Sequence, residues 1–365
     1  MAIETNDPAM AKAKYTKAKS SFFKRGVTFA IMSGICYGLY SAFLLVGEGS
    51  GIWNEFWALP LAATIIGYCL LCAVGSGLND LMSGIWCLII AAGKGKLMDF
   101  FRTLKTKPGV VMICCGLIGG PIASTAYIVG LMMAGPMVTP ITALCAAIGA
   151  IFGRILFKQK LNARMICGIA ICFFAACVIG GTSFSALKET STLGCAIALI
   201  AAFGWGLEGC VAGYGTSMVD YEIGITIRQC TSGLSNLIVL VPILCIMVNA
   251  MADTTGVVGN MYAYVVGGAI FGGAILWFII SGFFANPAYS FWYKGNSMCG
   301  AALGMTCNAL YSFWVPFFSW IILGLILGWD GYTLMPIQWF MAILEVFGIW
   351  LIAMNPLDVF KKKEA

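Results

Sequence analysis

One apolar stretch, residues 195–214 with the sequence CAIALIAAFGWGLEGCVAGY, constrains the fold of this chain more than any other. It is long and apolar enough to span a bilayer as a helix, yet it carries Glu208 near its middle. A carboxylate in hydrocarbon costs roughly 2–3 kcal/mol on insertion scales. We therefore expect Glu208 to face the protein interior, a polar cavity or a partner charge. Trp205 precedes it by three residues and shares its helix face.

The composition extends this interpretation to the whole chain. Of the 365 residues, 61% are hydrophobic and 10% are charged, whereas a soluble domain carries about 25% charge. So much apolar surface does not fit inside one aqueous core, which predicts a polytopic membrane protein. The net charge of +6 does not argue for a nucleic-acid partner. Residues 1–25 are polar and basic with no cleavable signal, so the first apolar segment is interpreted as a signal-anchor and first span.

Ten apolar segments predict ten transmembrane helices, with both termini in the cytoplasm. They lie at about 26–46, 57–93, 110–134, 136–157, 165–181, 195–214, 223–248, 262–285, 297–327 and 336–353. This topology places 18 of the 21 Lys and Arg residues on the cytoplasmic side, as the positive-inside rule requires. They lie in the tail 1–25, the loop 94–107, the turn 154–164 and the C-terminal tail 355–365. The expected location is a plasma membrane, most simply that of a bacterium.

Three features of these segments give specific expectations. Residues 57–93 are too long for one straight span, and the polar residues 76–80 predict a broken or strongly tilted helix after an interfacial piece, with Asp80 capping its second part. Two separate spans are the alternative. The sequence Asn286-Pro287-Ala288-Tyr289 is expected to end the eighth span. Segment 47–56 holds Glu48 and Glu55 without Lys or Arg, which suits the non-cytoplasmic side.

The sixteen cysteines lie in apolar runs and are interpreted as small packing residues. Cys69 and Cys72 have zinc-ligand spacing, but no His or second Cys pair accompanies them, so neither a metal nor another cofactor is expected. The sequence contains no His, so any proton relay must use carboxylates or tyrosines.

Two halves of the chain share ordered similarities. Tyr37-Gly38-Leu39-Tyr40 matches Trp205-Gly206-Leu207-Glu208, residues 76–81 match 232–237, and Gly119-Gly120 matches Gly272-Gly273. The predicted fold is an all-α membrane bundle of ten transmembrane helices, built from five-helix repeats at 26–181 and 192–354. An odd number of spans per repeat gives the two copies opposite orientations. Such inverted repeats place a binding site near the midplane and permit alternating access.

Over about residues 26–354 the chain resembles the drug/metabolite transporter superfamily in its ten-span form. The resemblance depends on Tyr37-Gly38, Trp205-Gly206, the run YIVGLMMAGP from Tyr127 to Pro136, and Gly168. It differs where the family often has a Gly-Glu pair after the fourth helix of each half: this chain has Lys158-Gln159-Lys160 and Trp329-Asp330. Its length and long second span look more like the sugar-uptake branch, which includes glucose and rhamnose porters.

Candidate binding residues are charged, aromatic or amide side chains in the predicted spans. Glu208 is expected to couple transport to protons or to bind a cationic group, or else to pair structurally with Arg228. Arg228 is expected to form that pair, to bind a carboxylate or phosphate, or to extend to the interface. The other candidates are Tyr37, Tyr40, Asn79, Tyr127 (from the family run), Trp205, Asn236, Trp277, Asn296 and Asn308. Aromatic faces suit sugars or quaternary ammonium groups, and amides suit hydroxyls.

The function expected from these features is secondary active transport of a small polar organic solute, with a sugar favoured, by alternating access. An exporter of amino acids, metabolites or cationic compounds is the alternative, and a non-transporting membrane scaffold is a third. The sequence shows no nucleotide-binding loop, nucleophile elbow or paired catalytic acids, so an enzyme is not expected. Glu345 in the last span is expected to form a dimer contact or a structural hydrogen bond, and the chain to be a monomer or homodimer.

Overall fold

A computed structural model describes residues 8–135, 138–158, 162–184, 192–250 and 259–353, and in these ranges the regular structure is entirely helical. The helices of the first half are α1 (Pro8–Glu48), α2 (Ile52–Ala58), α3 (Ile65–Gly93), α4 (Leu97–Thr103), α5 (Lys107–Ala134), α6 (Val138–Ala143), α7 (Cys145–Phe157) and α8 (Ala163–Phe184). Those of the second half are α9 (Thr192–Gly215), α10 (Tyr221–Ala250), α11 (Gly268–Phe271), α12 (Ile275–Cys299), α13 (Ala301–Asn308), α14 (Tyr311–Ser319) and α15 (Pro336–Ala353). Turns of π-helix interrupt α5 at Ile118–Ser124 and α10 at Asn236–Leu240.

Within the described ranges, seven helices are long and apolar enough to cross a membrane, which confirms an all-α protein of the membrane type. They are Ala18–Glu48, Ile65–Gly93, Lys107–Ala134, Thr192–Gly215, Tyr221–Ala250, Ile275–Cys299 and Leu303–Ile326. Three shorter apolar helices, Ile141–Leu156, Ala163–Ala175 and Pro336–Leu351, coincide with the other predicted spans. Large apolar side chains such as Ile155, Ile246 and Ile343 are about two-thirds exposed, as expected of surfaces that contact lipid.

The predicted break in the second span is wrong. Helix α3 is continuous for 29 residues, about 43 Å at 1.5 Å per residue, and α2 with the short 3-10 turn Pro60–Ala63 forms the expected preceding piece. Asp80 does not cap a helix, because it lies in the middle of α3 and is buried. The polar side chains of residues 76–80 bond to neighbouring helices, so they do not compete with the backbone of α3. Glu48, expected outside, ends α1 and is also fully buried.

The second predicted break, at Asn286-Pro287-Ala288-Tyr289, is also absent. Helix α12 continues through Pro287, and its flanking polar groups find partners on other helices: the Ser33 hydroxyl donates to the Ala288 carbonyl oxygen at 2.5 Å. Proline is tolerated in membrane helices when neighbouring helices pack around it. The chain instead breaks at Gly272-Gly273, before α12, where Gly273 has a φ of 81°. Gly119-Gly120 lies inside α5, so the predicted match between these glycine pairs is wrong.

Several sequence-based expectations fall on residues that the structure does not describe. These are Lys160, Lys188, Glu189, Asp253 and the C-terminal tail 355–365. In the N-terminal tail, the helix extends back to Pro8 and is continuous with the first span. The ninth span begins at Ala301 rather than at residue 297.

The two halves of the chain interleave in the bundle. Helix α1 packs along α12 and α14, and α9 packs along α5 and α7. Helix α3 crosses α10 and also contacts α12, while α10 also contacts α5. Helix α8 pairs with α15. Most of the large contacts therefore join helices from different halves.

The crossing of α3 and α10 is close because glycine lies on both sides. A Cβ on Gly233 would lie 2.4 Å from the Leu81 backbone nitrogen, and a Cβ on Gly77 would lie 2.8 Å from the Leu237 side chain. Asn236 Nδ2 donates to Ser76 Oγ at 3.2 Å at the same crossing. Small residues at such positions let membrane helices approach closely.

The close crossing predicts that Gly233→Ala destabilises the protein. The new methyl group meets backbone atoms of Leu81 that cannot move aside, and overpacking of this kind costs roughly 1–3 kcal/mol. The control is Gly267→Ala, because a Cβ there has no neighbour within 4 Å. Thermal unfolding in one detergent should show a lower midpoint for Gly233→Ala and an unchanged or higher midpoint for Gly267→Ala. Equal midpoints would contradict the close contact.

Candidate functional site

A guanidinium group lies between two carboxylates at the centre of the bundle. Arg228 of α10 contacts Glu208 of α9 through Nε–Oε1 at 2.7 Å and Nη2–Oε2 at 3.2 Å. Its Nη1 also contacts Asp80 Oδ2 of α3 at 3.2 Å. All three side chains are at most 1% exposed. The expected Glu208–Arg228 pair therefore forms, and extension of Arg228 to the interface is ruled out.

Hydroxyl groups complete the hydrogen bonds of the two acids. The Tyr293 hydroxyl of α12 donates to Glu208 Oε1 at 2.7 Å. The Ser232 hydroxyl of α10 donates to the other acid, Asp80. Each carboxylate thus has one charged donor and at least one neutral donor, which is the condition under which buried charge is tolerable.

The remaining contacts of Arg228 involve an amide and an aromatic ring. Its Nη1 donates to Gln229 Oε1, and Gln229 Nε2 donates in turn to Ser83 Oγ at 2.8 Å. The guanidinium carbon lies 4.2 Å from the centroid of the Tyr289 ring, a cation–π distance. When all three groups are ionised, the cluster carries one negative charge more than it has positive charge.

Glycines in the π-helical turn of α5 make room for this cluster. A Cβ on Gly119 would lie 2.0 Å from Glu208 Oε2, and a Cβ on Gly120 would lie 1.8 Å from Ser232 Oγ. Any side chain at these two positions would displace the ionic groups. The π-helical turn presents both glycines to the cluster, which explains a Gly-Gly pair in the interior of a helix.

A cluster of aromatic rings adjoins the ionic groups and is centred on Tyr37 of α1. Ring centroids of five other residues lie within 6.4 Å of its own: Tyr311 at 4.3 Å, Tyr40 at 4.6 Å, Tyr127 at 5.8 Å, Trp205 at 5.9 Å and Tyr289 at 6.4 Å. Every one of these rings is at most 5% exposed. Tyr289 belongs to both clusters, because it contacts Arg228 as well as Tyr37 and Tyr40.

Several buried polar atoms in and beside this aromatic core have no hydrogen-bond partner among the residues that the structure describes. They include the indole nitrogens of Trp205 and Trp292. The Tyr37 hydroxyl lies beside those of Tyr40 and Tyr127 but reaches hydrogen-bond geometry with neither. Unpaired buried donors are costly and uncommon in proteins. They are the groups that a bound solute with acceptor oxygens would satisfy.

The structure brings most of the predicted candidates together. Tyr37, Tyr40, Tyr127 and Trp205 form the aromatic core, and Glu208 and Arg228 form the ionic pair. Asn79 adjoins them, since its Nδ2 contacts Asp80 Oδ1 at 3.3 Å and its Oδ1 accepts from Ser281 at 2.6 Å. Asn236 lies one contact further away, against Ser76 and Thr125.

Three predicted candidates lie elsewhere. Trp277 stacks on Phe43 with a centroid distance of 6.2 Å, apart from the Tyr37 cluster. Asn308 donates to Ser33 Oγ at 2.6 Å and links α13 to α1. Asn296 is buried near the C-terminal end of α12, and neither of its amide atoms has a partner.

Sequence reasoning missed Asp80 as an ion-pair partner and missed Tyr289, Trp292 and Tyr293 altogether. Asp80 was interpreted as a helix cap because it follows a polar sequence. Tyr289 belongs to the sequence that is predicted to end the eighth span, and Trp292 and Tyr293 are not among the candidates; all three residues lie in α12. Their spacing of three and four positions places them on one helix face, which was the signal available in the sequence.

Ion pairs join the two halves of the chain at one end of the bundle, here called the Lys94 end. Lys94 contacts Glu222 at 2.5 Å, and Lys96 contacts Asp220 at 3.0 Å and Glu222 at 2.8 Å. Hydrogen bonds to Glu222 and Asp220 raise the pKa of Lys96, so its charge persists at neutral pH. Beside these pairs a cavity of about 280 Å³ opens between α3, α10 and α12, and its polar lining includes Asn286.

The cysteines are free thiols, and eight of the sixteen are buried within the bundle. Among the residues that the structure describes, no group of three His, Cys, Asp or Glu side chains is placed to hold a metal ion. The groups that meet at the centre of the bundle are two carboxylates, one guanidinium group, hydroxyl groups and aromatic rings.

Comparison with known proteins gives a fold relationship but no family. No protein-family model matches the chain, and no curated protein matches it. A solved structure described as "Crystal structure of protein" is similar, with a TM-score of 0.56 and 16% sequence identity. The similarity covers 88% of this chain and 96% of that chain. At this level of identity the likeness extends to the fold alone.

The ionic cluster predicts a large stability loss for Arg228→Met. The variant leaves two buried carboxylates without a counter-charge, and breaking a buried pair in this way costs about 3–5 kcal/mol. The triple variant Asp80→Asn, Glu208→Gln, Arg228→Met removes all three charges and should recover most of the loss. Arg102→Met is the control, since the Arg102 side chain is 75% exposed and pairs with Asp99 at 3.6 Å. Equal unfolding midpoints for Arg228→Met and Arg102→Met would contradict a structural role of the cluster.

Proposed function

We propose that this protein is a secondary active transporter that moves a small polyhydroxy solute, such as a sugar, across a membrane by alternating access. The observation that carries the proposal is the contact between a fully buried Asp80–Arg228–Glu208 cluster and an aromatic core with unpaired donors. The same proposal includes ten spans in two inverted five-helix repeats and membership of the drug/metabolite transporter superfamily, in the sugar-uptake branch. Lys94 and the N-terminal end of α1 then face the cytoplasm of a bacterial plasma membrane.

Reciprocal helix contacts support the inverted repeat. A two-fold relation between halves requires that if the first helix of one half contacts the third helix of the other, the converse contact also occurs. Helix α1 packs on α12, and α9 packs on α5. Helix α1 packs on α14, and α9 packs on α7. The pairs α3–α10 and α8–α15 join equivalent helices, as they must on such an axis.

Matched residues follow the same rule. Gly38 lies against Trp314 of α14, and its sequence counterpart Gly206 lies against Ile148 of α7. The preceding residues, Tyr37 and Trp205, contact each other with ring centroids 5.9 Å apart. These contacts support a centre of the proposed symmetry at the aromatic core.

At the crossing of α3 and α10 the reciprocity extends to polar contacts. Asp80 accepts from Ser232, while its counterpart Asn236 donates to Ser76, the counterpart of Ser232. Gly77 lies against Leu237, while Gly233 lies against Leu81. The exchange of Asp80 for Asn236 breaks this symmetry, so a single acid from this pair of helices faces Arg228.

The chemistry of the aromatic core favours a neutral solute rich in oxygen. The Trp205 and Trp292 indoles offer N–H donors without partners, and a hydroxyl oxygen accepts from such donors. The faces of Tyr37 and Tyr40 are apolar surfaces on which a sugar ring can stack. Arg228 is already bound by two acids, so an anionic solute would have to displace one of them.

A cationic solute is the second candidate, because the ionic cluster has one excess negative charge. Tyr289 and the other buried tyrosines provide aromatic faces beside it, the combination that recognises quaternary ammonium groups. Under this alternative the protein exports cationic compounds or amino acids. A scaffold without transport activity requires none of these unpaired donors.

The ion pairs at the Lys94 end supply the second element of alternating access. They link the loop after α3 to the start of α10, and Lys294 of α12 joins them through Tyr221 at 3.1 Å. The Lys96–Glu222 pair is partly buried, with side chains 32% and 19% exposed, whereas the other two pairs each include a side chain at least 42% exposed. Surface pairs contribute about 0–1 kcal/mol each, so breaking these two pairs costs little. They therefore suit a gate that opens and closes during transport.

The transport experiment is uptake and counterflow in proteoliposomes with a panel of sugars, amino acids and choline-like cations. Trp205→Phe keeps the aromatic ring but removes the N–H donor, so we expect the KM for the transported sugar to rise about three- to tenfold. Trp277→Phe is the matched control and should leave the KM unchanged. Equal effects of the two variants would exclude Trp205 as a solute donor. Transport of a cation but no sugar would favour the second candidate, and transport of neither would overturn the proposed function.

A further inference from the structure

Glu48, the last residue of α1, is a buried acid that neither the ionic cluster nor the aromatic core includes. Its side chain is fully buried, and neither carboxyl oxygen has a hydrogen-bond partner in the described ranges of the chain. In the described part of the chain, no Lys or Arg forms an ion pair with it. Glu208 and Asp80, in contrast, are each paired with Arg228 and bonded to a hydroxyl group.

The surroundings of Glu48 are shaped to receive its carboxyl group. A Cβ on Gly75 of α3 would lie 1.6 Å from Glu48 Oε1, so only glycine leaves room for the acid at this position. The Trp57 indole donates to the Glu48 backbone oxygen at 2.6 Å and holds α2 against the end of α1. The buried carboxyl group thus lies against α3, and the backbone of the same residue is held by α2. This end of the bundle, opposite the Lys94 end, is here called the Glu48 end.

The titratable groups that face Glu48 cannot balance a negative charge. Tyr68 and Cys72 of α3 interact with it electrostatically, and both are neutral acids rather than bases. The other elements packed at this end contribute aromatic side chains, namely Trp57 of α2 and Phe278 of α12, which contacts Gly47. An ionised carboxylate without a counter-charge or hydrogen bond is very unfavourable in such a place. The enclosed carboxyl group is therefore the neutral acid.

A proton fits this site better than a metal cation. Sodium, magnesium or calcium ions need several oxygen ligands, whereas the side chains shown to face Glu48 offer one phenol oxygen, from Tyr68, besides a thiol and aromatic rings. One carboxyl group is sufficient to carry one proton.

We infer that Glu48 is a proton-binding site, protonated while the Glu48 end of the bundle is closed and ionised when that end opens to water. Opening transfers the carboxylic-acid proton to a water molecule, which leaves Glu48 as a solvated carboxylate, and closing requires that a proton be taken up again. The following turn contains Gly49 and Gly51, and Gly51 has a φ of 61° that favours glycine. This inference depends on the proposed function for its coupling role but not for protonation itself.

The assignment changes the expected site of proton coupling. Glu208 was the sequence-based candidate, but in the structure its two oxygens contact Arg228 and one also accepts from Tyr293. Taking up a proton there would disrupt the central cluster. Glu48 can exchange a proton without breaking an ion pair, so it is the better coupling group.

The first test uses the purified full chain and needs no solute. Hydrogen exchange of the peptides that cover residues 45–60, corrected for the intrinsic effect of pH, is measured from mildly acidic to mildly alkaline pH. We expect protection to fall at least tenfold in the wild type as pH rises. Glu48→Gln, which mimics the neutral acid, should keep its protection at every pH. Glu55→Gln removes an exposed carboxylate at the same end and should behave like the wild type.

A second measurement, by infrared spectroscopy, detects the carboxyl proton directly. Infrared difference spectra over the same pH range, recorded in a Glu345→Gln background because Glu345 is a second buried acid, should show loss of a protonated-carboxyl band, absent when Glu48→Gln is added and retained when Glu55→Gln is added. A pH response that persists in Glu48→Gln, or protection that depends on sodium rather than pH, would overturn the inference. A wild type whose protection and infrared bands do not change with pH would overturn it as well.

A transport experiment tests this inference independently of the proposed function. In proteoliposomes, Glu48→Gln should lose accumulation driven by a proton gradient by at least tenfold and retain exchange of solute between equal concentrations. Glu55→Gln should retain both activities. Gradient-driven accumulation that survives in Glu48→Gln would refute coupling at Glu48. If no solute is transported at all, the proposed function fails, while the exchange and infrared measurements still decide whether Glu48 binds the proton.

Discussion

The buried interaction of Arg228 with Glu208 and Asp80 is the constraint on which the rest of this bundle depends. Three ionised groups with almost no exposure are tolerable in a membrane-type protein only when each is held by the others. They come from α10, α9 and α3, so the cluster joins helices of both halves. Its geometry in turn requires Gly119 and Gly120 to carry no side chain. The residue types at positions far apart in the sequence thus follow from one electrostatic requirement.

The carboxyl groups of the bundle have different environments and therefore different capacities. Glu208 and Asp80 are satisfied by charge and by hydroxyl groups, which suits a permanent structural and binding centre. Glu345 accepts from Ser312 at 2.6 Å through one oxygen, which is the structural hydrogen bond expected for it. Glu48 has no side-chain partner among the described residues. The acid with the fewest contacts is the one that can change its charge at the least structural cost, so environment rather than residue type assigns the roles.

The centre of the bundle and its two ends are held together by different kinds of contact. Close glycine contacts and the aromatic core hold the centre together, and substitutions there meet backbone atoms. The Lys94 end carries partly exposed ion pairs, and the opposite end carries the enclosed carboxyl group of Glu48. A centre that both halves share, with weaker closures at each end, is the physical requirement for alternating access.

The sequence by itself determined the helical, membrane-type architecture, because long apolar runs have few other stable forms. It also indicated Glu208, Trp205, Tyr37 and Arg228, since a charge or a repeated aromatic-glycine pair in such runs is unusual. Only the tertiary structure decided that Asp80 completes the ion cluster, that α12 continues through Pro287, and that Glu48 is enclosed. These outcomes depend on which helix packs opposite each residue. From the sequence alone, a polar residue in a helical segment can be interpreted as a break, a cap or a buried hydrogen-bond partner. The side chains that pack around it in the fold decide between these.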